Sequence, residues 1–179
     1  MKTLVIFADG VEPLEAVTIV DVLRRADVSV TTVSLTNSVS VRAAHKMILT
    51  ADTLWPADLD VFEAIILPGG GKGTENLNAN EIVKNIVSAA YKRGAFVAAI
   101  CAAPSILGRL GILNGKEAIC YPGFEKYLTG AKISDEKVVQ DGNVITAKGM
   151  GVSLQFGLKL IEILKGIETA NKIKESVMA

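Results

Sequence analysis

Short apolar runs alternate with amphipathic helical patterns along nearly all of the 179 residues of the chain. A strand shows here as a short run rich in β-branched residues, and a helix as apolar residues spaced three and four apart. Because parallel strands need long crossover connections, this alternation favours a parallel sheet covered by helices on both faces. The central strands are predicted at residues 3–8, 28–35, 64–67, 96–100 and 144–147.

Three helices are predicted from apolar stripes that would face the sheet. The stripes are Ala16, Ile19, Val20 and Leu23; Val83, Ile86, Val87 and Ala90; and Gly157, Leu160, Ile161 and Leu164. Residues 38–59 and 119–142 are less regular, and we interpret them as β-rich or irregular insertions. The chain shows no linker, repeat or low-complexity segment, so we expect one α/β domain over residues 1–179.

The charge balance and the cysteine content narrow the function classes. There are 19 basic and 19 acidic residues, so nothing favours binding to nucleic acid or to a membrane surface. No apolar run approaches the roughly 18 residues of a membrane span, and we interpret residues 1–9 as a first strand rather than a signal segment. Cys101 and Cys120 lack metal-ligand spacing, so we expect no metal and two reduced thiols in the cytoplasm.

Cys101 follows a buried strand and comes just before Pro104, which suits the first turn of a helix. This strand-to-helix elbow would expose the thiol above the sheet and direct helix N-terminal N–H groups toward it, which favours the thiolate. The alternative is a packed cysteine that acts as a small hydrophobe. We favour the reactive role for Cys101 and the packed role for Cys120.

Three segments should meet beyond the carboxyl ends of the strands, where ligands bind in open α/β sheets. They are residues 8–15, residues 67–73 and the Cys101 elbow. Glu15 lies in the first turn of a helix that begins near Pro13, where a carboxylate interacts favourably with the helix dipole. The alternative is a carboxyl group with a pKa raised by burial, which leans toward the thiol and exchanges a proton with it.

The glycine-rich segment Gly69, Gly70 and Gly71 matches neither phosphate-loop spacing, which disfavours a nucleotide role. It could be only a flexible turn. We favour a second interpretation, in which the N–H groups of Gly70 and Ala102 form a pocket for an oxyanion beside the sulfur.

Further candidates lie outside this core. His45 is the only histidine, and either a surface residue or, with Arg42 and Lys46, part of a basic loop for an anionic substrate. Residues 149–153 would begin the last long helix, with Ser153 as its cap, or form a wall of the pocket.

Four motifs together resemble one family. They are VIFADGVEPLE at residues 5–15, ILPGG at 66–70, AAICAAP at 98–104 and AKGMGVSLQF at 147–156. This set resembles the ThiJ/PfpI superfamily, in the branch of the Parkinsonism-associated protein called DJ-one, over nearly the whole chain. The resemblance implies a flavodoxin-like three-layer sandwich of the class I glutamine amidotransferase type, a homodimer, a nucleophile matching Cys101 and a glutamate partner matching Glu15.

The resemblance also implies a choice of activities. Family members are described as glutathione-independent glyoxalases, as deglycases, and as oxidative-stress sensors or chaperones through oxidation of the cysteine. The proteolytic branch has a histidine directly after its cysteine, where this chain has Ala102. Many relatives have a histidine at Tyr121 and an arginine at His45, and Arg25 could reach an anion site from the partner subunit.

We therefore expect a cofactor-free thiol enzyme acting on small 2-oxoaldehydes or their adducts. Cys101 and Glu15 are the expected catalytic residues, Gly70 and Ala102 the oxyanion donors, and Gly69, His45, Tyr121 and Arg25 the substrate-binding residues. The alternatives are a redox sensor or chaperone without significant turnover and, third, a cysteine-dependent peptidase or amidase that needs His45.

Overall fold

A computed structural model describes residues 1–55 and 61–179 of the chain. Its strands in chain order are β1 Lys2–Phe7, β2 Ser29–Ser34, β3 Ser40–Arg42, β4 Ile48–Thr50, β5 Ala64–Leu67, β6 Phe96–Ile100, β7 Glu117–Ala118, β8 Lys132–Ile133, β9 Val138–Asp141 and β10 Val144–Ala147. Its α-helices are α1 Pro13–Arg25, α2 Gly71–Ala79, α3 Glu81–Lys92, α4 Pro104–Arg109, α5 Ser153–Lys165 and α6 Ile167–Ser176. Single 3₁₀ turns occupy Ala44–Lys46, Glu125–Tyr127 and Met150–Val152.

The central sheet has the strand order β2-β1-β5-β6-β10-β9. The first five of these strands pair in parallel, and β9 pairs antiparallel with β10 at the edge. The parallel part follows the flavodoxin-like order 2-1-3-4-5, so strand order reverses beside β1. The expectation of a flavodoxin-like α/β sandwich is confirmed.

Alternate residues of each strand enter two separate cores. On β1, Leu4 and Ile6 pack into the core beneath α2, α3 and α4, whereas Val5 and Phe7 pack into the core beneath α1 and α5. This is the two-residue period of a strand buried on both faces. The apolar stripes predicted for α1, α3 and α5 line these cores, as the 3.6-residue period requires.

The five predicted strands are confirmed, with ends that differ by at most one residue. The interpretation of residues 119–142 as an insertion was wrong, because this segment contains β9, the sixth strand of the main sheet. It is short and only one of its four residues is buried, as suits an edge strand, and it lacks the continuous apolar run of the buried strands. Within the other predicted insertion, residues 38–59, residues 40–50 form the β3–β4 hairpin, and residues 56–59 lie outside the described residues.

The start of α1 agrees with the prediction from the sequence, whereas the cap predicted for α5 does not. Glu12 caps α1, since its carboxylate accepts a hydrogen bond from the N–H of Leu14 at 3.4 Å, and Pro13 occupies the first turn as expected. The predicted cap of α5 by Ser153 was wrong. The Ser153 hydroxyl instead donates to the carbonyl of Met150 at 2.8 Å, closing the preceding 3₁₀ turn.

Candidate active site

Cys101 lies at a sharp elbow between β6 and α4. Its φ of 64° is in the left-handed region, which costs a residue with a side chain about 1–2 kcal/mol. Two hydrogen bonds fix this backbone: the Cys101 N–H donates to the carbonyl of Ala147 at 2.9 Å, and the Tyr121 N–H donates to the carbonyl of Cys101 at 2.8 Å. The thiol is half-buried, so it keeps access to solvent, as predicted.

Glu15 is fully buried although it carries an acidic side chain. It lies in the first turn of α1, which points it over the end of the sheet rather than into solvent. Its Oε2 accepts a hydrogen bond from the N–H of Gly69 at 2.8 Å. Its Oε1 makes no well-formed hydrogen bond among the described residues, and the Cys101 thiol interacts with this carboxyl group.

Gly69 makes this approach possible because it has no side chain. A Cβ atom at this position would lie 2.6 Å from the Cβ of Cys101, 2.7 Å from Oε2 of Glu15 and 2.9 Å from the carbonyl oxygen of Ile100. All three distances are far inside van der Waals contact. The nucleophile, the carboxyl group and the β5 loop therefore pack against one another without space for even a methyl group.

Burial governs the protonation of the Cys101–Glu15 pair. Loss of solvent raises the pKa of Glu15 from 4.5 to about 7, against the lowering effects of the Gly69 N–H and the Cys101 thiol. Burial and then the negative charge of Glu15 raise the pKa of the Cys101 thiol to about 12. Burial therefore opposes the thiolate that the helix N-terminus was expected to favour, and Glu15 is the group of the pair whose pKa lies near neutral pH.

Two backbone donors nevertheless point at the sulfur. The N–H groups of Gly70 and Ala102 hydrogen-bond to Cys101 and act to lower its pKa, although burial outweighs them. Gly70 has a φ of +91°, and a Cβ there would lie 2.6 Å from the backbone nitrogen of Glu12. Glycine is thus needed both for the turn and for the close passage of the first loop. The two donors expected for an oxyanion pocket lie together.

Tyr121 and Gly149 form another side of the site. The Tyr121 ring lies 3.3 Å from where a Cβ of Gly149 would be, and the Cys101 sulfur lies 4.0 Å from the same point. Tyr121 is about half exposed, at 51%. Its ring is therefore at the mouth of the site, beside the sulfur, and the interpretation of the segment at Gly149 as a wall is supported.

The structure does not bring two other predicted residues to the sulfur. His45 is exposed, and its Nε2 lies 3.4 Å from a carboxylate oxygen of Glu12, at the rim of the first loop. Arg25 pairs with Asp21 at 2.7 Å at the far end of α1, about 15 Å along the helix from Glu15. Arg25 therefore cannot serve the site of its own chain.

One feature of the rim was missed from the sequence. The guanidinium of Arg42 donates to Oδ2 of Asp9 at 2.9 and 3.1 Å, and the backbone N–H of Arg42 donates to Oδ1 at 2.9 Å. Asn76 also donates to the carbonyl of Asp9 at 2.7 Å. These bonds tie β3 and α2 to the loop that precedes α1. No local pattern pairs residues so far apart in the chain.

Membrane-spanning helices and metal-binding clusters are absent from the part of the chain that the structure describes. No helix there is long and apolar enough to cross a membrane. No group of three or more His, Cys, Asp or Glu side chains is arranged there to hold a metal ion. Both cysteines are free thiols.

Both the sequence and the fold of this chain match those of known proteins. Residues 1–163 match the model of the DJ-1/PfpI family. Protein dj-1beta of Drosophila melanogaster is 34% identical over 99% of this chain and 96% of its own length. Protein DJ-1 homolog B of Arabidopsis thaliana is 41% identical over 96% of this chain, which spans only 40% of that longer protein.

Solved structures agree with these sequence matches. The structure of oxidized DJ-1 from Toxoplasma gondii superposes with a TM-score of 0.94 at 32% identity, covering 99% of this chain and 97% of that one. The crystal structure of DJ-1beta from Drosophila melanogaster has a TM-score of 0.93, also at 32% identity, with 99% and 97% covered. The chain belongs to the DJ-1/PfpI family.

Proposed function

We propose that this protein is a cofactor-free, cysteine-dependent enzyme that acts on small 2-oxoaldehydes such as methylglyoxal, or on the adducts they form. The observation that supports this most is the buried Glu15 carboxyl group beside the Cys101 thiol, with two N–H donors at the sulfur. A general base is most effective when its pKa is near the working pH, and the pKa of Glu15 is raised to about 7.

The first step is attack of sulfur on the aldehyde carbon. Glu15 takes the thiol proton as the C–S bond forms, so no free thiolate need accumulate. The aldehyde oxygen gains negative charge next to the N–H groups of Gly70 and Ala102, which are held in place before the reaction. Glu15 then returns the proton to this oxygen and completes a hemithioacetal.

The second step moves hydrogen between the two carbons. Glu15 removes the proton from the former aldehyde carbon, the neighbouring ketone oxygen takes a proton from water, and an enediol forms. The Glu15 carboxyl group then delivers its proton to the second carbon, and the hydroxyl group on the first carbon returns a proton to the hydroxide left in the preceding step as the thioester forms. Water cleaves the C–S bond and releases a 2-hydroxy acid. One carbon is oxidised and the other reduced, so this scheme needs no external oxidant or cofactor.

The decisive experiment measures conversion of methylglyoxal to lactate without glutathione, by NMR, for the wild type, Cys101→Ala and Glu15→Gln. The wild type should produce lactate, and both variants should lose at least about a hundredfold in rate. Intact folding of each variant is checked by circular dichroism. Lactate production by Cys101→Ala at the wild-type rate would refute the scheme.

Redox sensing is the second candidate. A half-buried thiol beside a carboxyl group can be oxidised to sulfinic acid, which a protonated Glu15 could stabilise by a hydrogen bond. The Toxoplasma gondii relative has been solved in an oxidized form. Mild peroxide followed by intact-mass analysis separates the two: rapid gain of two oxygens on Cys101 with negligible aldehyde turnover supports the sensor.

A peptidase or amidase is less well supported. Such chemistry needs a base of histidine type at the thiol, and the structure gives His45 a contact with Glu12 at the rim instead. Ala102 follows the cysteine directly, so the elbow itself supplies no histidine.

We further propose that the protein acts as a homodimer in the cytoplasm, where the mechanism has the reduced thiol it needs. Apolar side chains that a second copy could cover are exposed on α1 at Leu14 and Val17, and on the β3–β4 hairpin at Met47 and Ile48. The two surfaces meet, because Val17 and Leu49 line one cavity. A partner's Arg25 would then supply the basic group that this chain's own Arg25 cannot. Light scattering on Val17→Glu tests this, since the variant should be monomeric.

A further inference from the structure

A cavity of about 360 Å³ lies beside the elbow, on the side of α2 and α4. It is lined by the first turn of α2, by α4 and by the 3₁₀ turn at Glu125–Tyr127. The side chains that define its chemistry are Thr74, Ser105, Arg109, Phe124, Lys126 and Tyr127. Cys101 does not line it, so it is a space additional to the site described above.

The cavity is cationic. The guanidinium of Arg109 lies 4.0 Å from the centre of the Tyr127 ring, and the ammonium of Lys126 lies 5.1 Å from it. Neither cation makes an ion pair with another described residue. The one carboxylate of the lining, Glu75, is paired with Lys72 at 3.1 Å. Arg109 and Lys126 therefore bring two positive charges to this space. One further carboxylate lies at its edge, that of Glu125, which accepts a hydrogen bond from the N–H of Gly123 in the lining at 2.7 Å.

The wall supplies a neutral donor as well. The hydroxyl of Thr74 is buried and has no hydrogen-bond partner among the described residues, which is unusual for a buried polar group. Thr74 lies in the first turn of the nine-residue helix α2, whose N-terminal end carries positive partial charge. A bound anion near this turn would be stabilised by the helix and could satisfy the hydroxyl.

The cavity adjoins the reacting sulfur through the same two residues that donate to it. Gly70, whose N–H points at Cys101, is followed directly by Gly71 of the cavity wall. The hydroxyl of Ser105, also in the wall, donates to the carbonyl of Ala102 at 2.6 Å. The cavity wall therefore shares its backbone with the two segments that carry the N–H donors at the sulfur.

We propose that this cavity binds an acidic group, a carboxylate or a phosphate, carried by the substrate a few bonds away from the carbonyl that reacts with Cys101. Arg109 and Lys126 provide the charge and Thr74 the neutral donor. That the acidic ligand is a substrate rests on the proposed function. The preference for an acidic group does not, because it applies to any reagent that reaches the thiol. It narrows the substrate class to acidic 2-oxoaldehydes and acidic adducts.

The test compares two reagents that alkylate Cys101 without any turnover. 3-Maleimidopropionic acid carries a carboxylate on a short arm, and N-ethylmaleimide is its neutral analogue. Second-order rates at Cys101 are measured by peptide mass spectrometry at low salt. The ratio of acidic to neutral reagent should fall about fivefold in the double variant Arg109→Gln/Lys126→Gln, as loss of two exposed ionic contacts predicts.

A matched control removes the same charge elsewhere. Lys172→Gln/Lys174→Gln lowers the net charge equally on the exposed face of α6, and its reagent ratio should stay at the wild-type value. An unchanged ratio in the Arg109/Lys126 variant, or an equal fall in the control, would overturn the proposal.

The same variants separate this inference from the proposed function. Phenylglyoxal and its 4-carboxy derivative are then compared as substrates, and the carboxylated compound should lose kcat/KM selectively in the Arg109/Lys126 variant, through KM. If neither compound turns over while the alkylation ratio still falls, the enzyme proposal fails and the anion site stands. If both turn over and the ratio does not change, the anion site fails alone.

Discussion

The two cysteines of this chain occupy different surroundings although burial raises the pKa of both thiols to about 12. Cys120 is 1% exposed and packs in the core beneath α2, α3 and α4. Its pKa is raised mainly by burial and secondly by the negative charge of Glu125. Cys101 is half-buried at the elbow, with a neighbouring carboxyl group and two N–H donors. The packed role expected for Cys120 is confirmed.

The comparison shows that a thiol pKa alone does not distinguish a reactive cysteine from a structural one. Burial raises the pKa of both thiols for the same reason, which is the loss of water. Only at Cys101 does the structure supply a base to take the proton and donors to hold the charge that then develops. The reactivity proposed for Cys101 therefore depends on the groups around the sulfur and not on its pKa alone.

The largest expected effect is on turnover. Cys101→Ala should lose at least about a hundredfold in methylglyoxal turnover because the nucleophile is gone, whereas Cys120→Ala should stay within about twofold of wild type. Cys120→Ala should instead lose roughly 1 kcal/mol of stability through the small cavity it leaves in the core. Lactate formation and urea unfolding measure the two effects. Comparable loss of turnover in both variants would end the distinction between the thiols.

The second effect tests the tight packing around Cys101. Gly69→Ala should lower the free energy of unfolding by roughly 3 kcal/mol, because its new methyl group must displace Cys101, Glu15 or the backbone at Ile100. Gly71→Ala is the matched control two residues later. A Cβ there meets nothing within 4 Å, so its stability should change by less than about 0.5 kcal/mol. Equal stabilities in urea would show that the Cys101–Glu15 packing is loose.

The fold was predictable from the sequence because the apolar run of each central strand predicts that strand without reference to the rest of the chain. A run such as residues 64–67 is apolar on both faces, and no other element would bury it so completely. Edge strand β9 was not predicted, for the opposite reason. Three of its four residues are incompletely buried, so its pattern resembles that of a loop.

The site was predictable in part. The placement of Cys101, Glu15 and Gly70 follows from the rule that the carboxyl ends of parallel strands meet at one edge. The protonation of the pair did not follow, because it depends on how much water burial removes, and a sequence carries no such measure. The cationic cavity could not be predicted from the sequence either, because Thr74, Arg109 and Lys126 come from three separate elements.

The third effect concerns the pH dependence of stability that Glu15 causes. Of the two cysteines, only Cys101 lies beside this carboxyl group. The folded-state pKa of about 7 exceeds the ordinary value of 4.5, so the folded state binds more protons between these pH values. Stability associated with Glu15 is therefore fully present below pH 4.5 and lost as pH rises through 7, by an amount of roughly 2–3 kcal/mol. Glu15→Gln should remove this loss. Urea unfolding of both proteins at pH 5 and pH 8 measures it, and parallel pH dependences would contradict a buried, ionisable Glu15.

The smallest effect isolates the strain at the elbow. Cys101 has a φ of 64°, where glycine is favoured over any residue with a Cβ. Cys101→Gly should therefore have a free energy of unfolding about 1 kcal/mol higher than Cys101→Ala, measured in urea, although the glycine variant fills less of the site. At Cys120, which is not among the residues with positive φ, the same pair of substitutions should give the reverse order. If alanine were the more stable at both positions, the elbow would carry no strain, and the hydrogen bonds to Ala147 and Tyr121 would hold a relaxed backbone.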